Sequence, residues 1–109
     1  MATYTKSEMR GSEKIRAANT YTVHGYTLFL IREQLTKGYL KVQQIYPPQG
    51  YPQITIPFYD DEPYKVQTTS WGALPVDGIN DIIKRYQTAV KVVKWLEKFN
   101  WDKTDIITD

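Results

Sequence analysis

The sequence predicts an α+β fold: a small antiparallel sheet of three to four strands backed by one long C-terminal amphipathic helix, with a short helix or arm before them. Three observations carry this prediction. Residues 21–71 are rich in β-branched and aromatic residues between glycine and proline breaks, and residues 75–99 repeat apolar positions at helical spacing. At 109 residues the chain holds one ordinary domain, 1–109, in which strands followed by a single helix pack as a sheet with one helical layer.

The elements follow in chain order. Thr5 and Glu8 have capping-box spacing, so residues 1–19 read as a short helix over about 6–18 or as an N-terminal arm. From Tyr21 to Leu35 apolar residues fall on both faces, which suggests one central strand, with His24 inside it. Thr36-Lys37-Gly38 supplies a tight turn, and Tyr39 to Tyr46 returns as the second strand of a hairpin. Pro47-Pro48-Gln49-Gly50-Tyr51-Pro52 is a stiff loop that cannot join a ladder. Ile54, Ile56 and Phe58 alternate as a third strand, placed at an edge by Pro57, and Tyr64 to Trp71 reads as a fourth. The sheet is thus expected within residues 20–71.

Pro75 suits the first turn of a helix over 75–99, with Asp77 and Asp81 near its positive end and Lys94 and Lys98 near its negative end. At about 100° per residue, Ile79, Ile82, Ile83, Tyr86, Ala89, Val90 and Val93 fall on one stripe, with Leu96 at its margin, and that stripe should cover the sheet. Residues 100–109 read as a polar tail that Trp101, Ile106 and Ile107 could tether.

Several function classes are excluded or disfavoured. With no cysteine there are no disulfides, thiolate metal sites or cysteine nucleophiles, and no run approaches the roughly 18 apolar residues that span a bilayer. The polar N-terminus lacks the apolar core of a signal peptide, so a cytoplasmic location is expected. The one histidine, His24, has no nucleophile or orienting acid near it in sequence, and no phosphate-binding or dinucleotide-binding glycine pattern is present. Asp60-Asp61-Glu62 reads first as a solvated turn, with a Mg²⁺ or Ca²⁺ site or a partner contact as the alternatives, because adjacent carboxylates make a metal site only where further ligands converge. The expectation is a non-enzyme without cofactor or metal.

Charge and aromatics point to binding. The net charge is +2, but residues 79–99 balance at +3 and residues 60–78 at −3. Such asymmetry concerns partners and not fold. If Tyr86 centres the buried stripe, Trp95 lies on the opposite side of the helix with Val92 and Phe99 beside it. Those three are candidate partner contacts, or the seat of the chain's own arm or tail. Lys84, Lys91, Lys94 and Lys98 adjoin them and form the alternative, a surface for nucleic acid. Tyr46 and Tyr51 on the proline loop, and Asp60, Asp61 and Glu62, complete the candidate contacts. Self-association as a homo-oligomer is the third class.

The general build resembles small accessory proteins of bacteriophages and prophages, among them anti-CRISPR proteins and other inhibitors of host defence. It consists of about a hundred residues without cysteine, strands followed by one amphipathic helix, and nine tyrosines. The resemblance implies a non-enzymatic inhibitor in the host cytoplasm that binds a protein such as an effector nuclease, or that nuclease's nucleic-acid complex. The acidic turn 60–62 would then be a candidate mimic of phosphate charge.

Overall fold

The computed structural model describes residues 2–5, 19–69, 71–103 and 106–107. The expected helix over 6–18 lies outside them. Strands β1 (Ala2–Thr5), β2 (Thr20–Val23), β3 (Tyr26–Gln34) and β4 (Tyr39–Tyr46) form an antiparallel sheet in that order. A last strand, β7 (Ile106–Ile107), pairs parallel with β3 at Arg32 and Glu33, beyond the end of β2. β5 (Ile54–Thr55) and β6 (Lys65–Val66) make a separate two-stranded sheet, and helix α1 spans Val76–Glu97. The α+β build is as expected. Among the described residues no helix is long and apolar enough to cross a membrane.

The expected strand from Tyr21 to Leu35 is two strands. His24 and Gly25 both adopt positive φ, 49° and 86°, the backbone of a two-residue hairpin loop, and Val23 pairs with Tyr26 across it. β3 is nevertheless central, because β2 and β7 share one of its edges and β4 takes the other. The hairpin turn and its return strand, Tyr39–Tyr46, are where the sequence places them. Gln34 pairs with Tyr39, and Gly38 at φ 78° accepts the Leu35 N–H at 3.1 Å.

The third and fourth strands are far shorter than expected. Pro52 and Pro57 bracket β5, and neither can donate to a ladder, so pairing stops after Ile54–Val66 and Thr55–Lys65, with one further bond from Gln67 N–H to Gln53 C=O at 2.8 Å. Ile54 is still fully buried. It joins Val23, Tyr26, Leu28, Leu30 and Ile45 from the sheet and Ala89, Val92 and Leu96 from α1 in one core.

The helix is correct in extent and differs in face. Pro75 sits at the N-cap, and its carbonyl accepts the Ile79 N–H at 3.1 Å. Ala89, Val92 and Leu96 are buried, whereas Ile79, Ile83 and Val90 of the expected stripe are exposed. α1 carries two adjacent apolar faces, and the sheet takes the one ending in aromatics. Tyr21 on β2 meets Trp95 at 5.5 Å and Phe99 at 5.2 Å between ring centroids, and Phe99 meets Trp101 at 5.0 Å. These contacts turn the helix by roughly a quarter turn from the expected setting.

The tail is tied down. Trp101–Lys103 form a 3-10 turn, the Asp102 N–H is held by Asn100 Oδ1 at 3.0 Å, and Arg32 Nη2 donates to the Asp102 carbonyl at 3.3 Å.

The proline loop is fixed by Arg85, whose Nη1 donates to the Gly50 carbonyl at 3.1 Å while its guanidinium lies over the Tyr51 ring. Gly50 has φ +83°, and a Cβ there would stand 2.8 Å from Arg85 Nη1. Gly50→Ala is therefore expected to cost about 1–2 kcal/mol, from left-handed strain plus displacement of Arg85, read as a lower urea midpoint at unchanged m.

Candidate protein-binding face

The chain between β5 and β6 builds a projecting tip. Beyond Thr55 the backbone leaves the ladder, and a turn closes where the Glu62 N–H donates to the Tyr59 carbonyl at 3.0 Å. The alternation of Ile54, Ile56 and Phe58 stops meaning strand there, and Phe58 points into solvent. Phe58 is 85% exposed and Tyr59 61%, packed edge-to-face on each other at 4.8 Å. Asp60, Asp61 and Glu62 follow, all exposed. Two neighbouring aromatics in water beside three carboxylates are costly to leave uncovered and are suited to docking.

A cleft of about 420 Å³ opens beside the tip, between β4, the turn and the end of α1. Its walls carry Asp60, Glu62 and Glu97 against Lys41, with Tyr64, Phe99 and Trp101 as the apolar part. Lys41 Nζ stands 3.7 Å from Asp60 Oδ1 and 5.6 Å from the Trp101 ring centroid. This surface pair holds the turn to the sheet weakly, since the Asp60 side chain is almost fully solvated. The Tyr64 hydroxyl donates to Gln43 Oε1 at 2.5 Å. Burial raises its pKa above the tyrosine norm, the Gln43 bond opposes that, and the charges of Glu97 and Asp60 add to the rise.

The expected contact residues separate into three places. Asp60, Asp61 and Glu62 lie on the tip, and Phe99 lines its cleft. Val92 is fully buried in the core and unavailable to a partner, a correction that follows from the turned helix. Trp95 is half-buried against Tyr21 and Phe99, so the expected outward aromatic patch faces the chain's own sheet and tail. Tyr46 is exposed on β4, its hydroxyl bonded to Gln44 Oε1 at 2.8 Å, and Tyr51 is half-buried edge-to-face on Tyr26. Lys84, Lys91 and Lys94 on α1 and Lys98 at its C-cap are all exposed, and none forms an ion pair among the described residues.

His24 is a surface turn residue. Partial desolvation lowers its pKa, and positive charge that includes Lys91 adds to this. Among the described residues no group of three or more His, Asp or Glu side chains converges as a metal site. Phe58, Tyr59 and Lys41 escaped the sequence reading; a proline after only two alternating apolar positions was the available signal. The chain matches no protein-family model, no curated protein and no solved structure at a significant level.

Proposed function

We propose that this chain is a non-enzymatic protein-binding module that presents the tip 58–62 and its cleft to a partner with a basic surface. The observation that carries the reading is the solvent exposure of the Phe58–Tyr59 pair directly beside three carboxylates. Aromatics supply the desolvated centre of an interface, and the carboxylates around them select a cationic partner and steer its approach. Its narrower form is a phage-type inhibitor that blocks a host-defence protein such as a CRISPR effector nuclease. The resemblance of build supports that form, as does the chemistry of the tip, because a nuclease presents a basic groove to nucleic acid. With a net charge of +2, any phosphate mimicry is local to the tip. The lysine row of α1 supports the alternative, direct binding of nucleic acid.

The test uses the intact chain and a Phe58→Ala/Tyr59→Ala variant as paired baits in extracts of the source cell. The expected result is a partner held by the first and weakened about 30-fold or more in the second, at unchanged circular dichroism, because aromatic hot spots carry about 2 kcal/mol or more. Equal capture by both would remove the tip from the interface. Binding that needs Lys91 and Lys94 and falls steeply with salt would favour nucleic acid.

A further inference from the structure

The outward face of α1 is built for a second helix. Val76, Ile83 and Val90 recur every seven residues, with Ile79, Tyr86 and Val93 recurring between them at the same interval. That is a three-heptad a/d seam, about 26 Å long at 1.5 Å per residue. The core takes only its C-terminal edge, where Val93 packs against the buried cluster, and Tyr86 is half-buried beside Trp71. Val76 is 75% and Ile83 48% exposed, with Ile79 and Val90 similar to Ile83, whereas the residues given to the sheet are Ala89, Val92 and Leu96. Trp71, also exposed, stands edge-to-face on Tyr86 at 6.0 Å and forms one wall of the groove. Lys91 and Lys94 form the other.

We infer that this seam pairs with the same seam of a second copy, antiparallel, across a two-fold axis near the middle of α1. Reversal about the midpoint between Lys84 and Arg85 sets Val76 opposite Val93 of the second copy, Ile79 opposite its Val90 and Ile83 opposite its Tyr86. Every apolar position of the seam then meets an apolar position. Charge fixes the direction. The first turns of α1 carry Asp77 and Asp81, and the last carry Lys91, Lys94 and Lys98 with Glu97. A parallel pair would stack lysine turns on lysine turns. The antiparallel pair brings Asp77 within a turn of Lys94 of the second copy, twice by symmetry, and also opposes the helix dipoles favourably. A self-complementary patch closes as a two-fold dimer, the commonest assembly of soluble chains. The seam and the tip 58–62 are separate surfaces, so a dimer would present two tips and gain avidity on a partner with two sites.

The experiment is sedimentation equilibrium of the full chain from micromolar to millimolar concentration. The expected result is a monomer–dimer equilibrium that Ile83→Asp weakens at least about tenfold, with circular dichroism unchanged. Lys94→Glu and Asp77→Lys should each weaken it, and the double exchange should restore it, as coupled charges do. Because the chain has no cysteine, direction can be read from single substitutions. Gln87→Cys, about 8 Å along the axis from its counterpart, should be joined by a short bifunctional thiol reagent. Val76→Cys should not, since its counterpart would be about 26 Å away. A chain that is monomeric throughout, a dimer indifferent to Ile83→Asp, or equal cross-linking at both positions would overturn the inference. Loss of partner capture on changing Phe58 and Tyr59 would not bear on it, so the two proposals fail separately.

Discussion

Leu96→Ala is expected to cost about 2–5 kcal/mol, while Ile83→Ala costs less than about 1 kcal/mol, although both remove a large aliphatic side chain from the same helix. Leu96 is 2% exposed and packed into the one core that joins sheet and helix. Truncating it forfeits transfer free energy and leaves a cavity whose walls, Val92 and the β3 leucines among them, are pinned by their own strands and helix. Ile83 stands on the solvent side, where alanine leaves no void and gains slightly in helix propensity. Urea titrations should be run at low micromolar concentration, because a dimer through the seam would add stability to the parent chain and not to Ile83→Ala. Equal costs, or a larger cost at Ile83, would mean that α1 presents its other face to the sheet, and the seam would then be core.

That pair of substitutions also marks what could be read from the sequence. Periodicity places α1 to within a residue or two at each end, because Pro75 and the aromatics after Glu97 bound a long run of helical spacing. It cannot choose between two apolar faces on one helix. The choice is made by Tyr21 and Trp101, residues from other elements whose rings meet Trp95 and Phe99. Sequence distance hides those contacts.

The His24–Gly25 turn is a different case. Positions that join the core shared with the helix run odd at Val23 and even at Tyr26, Leu28 and Leu30, and a change of parity in a period-two pattern requires an inserted turn. The signal was present, and a histidine at positive φ is uncommon enough to obscure it. The acidic half of the candidate site was legible from composition. Its aromatic half was not, because Phe58 continues an alternation whose ladder ends at Thr55.

Stability should fall above about pH 10, and Tyr26 should carry a separable part of the loss. Its side chain is fully buried on β3, its hydroxyl donates to the Pro52 carbonyl at 2.6 Å, and its ring packs edge-to-face on Tyr51, which in turn lies under Arg85. The chain of contacts runs from the sheet through the proline loop to the helix. Burial, followed by the neighbouring Tyr51 and Tyr86, raises the Tyr26 pKa from 10.0 to about 12. The folded form thus holds its proton more tightly than the unfolded chain does. The contribution is complete below the unfolded value, and it is lost as pH rises from about 10 toward about 12, on the order of 2 kcal/mol in all. Burial also raises the pKa of Tyr64, so the measurement is a difference. Tyr26→Phe keeps the ring and removes the proton, leaving the Pro52 carbonyl without its donor at a cost of about 1–3 kcal/mol near neutral pH. Because phenylalanine cannot ionise, the gap between parent and variant should narrow across the alkaline window and close or reverse near pH 12. Parallel stability curves from pH 8 to 12 would show that the Tyr26 hydroxyl is solvated and that the loop is held by Arg85 and Gly50 without it.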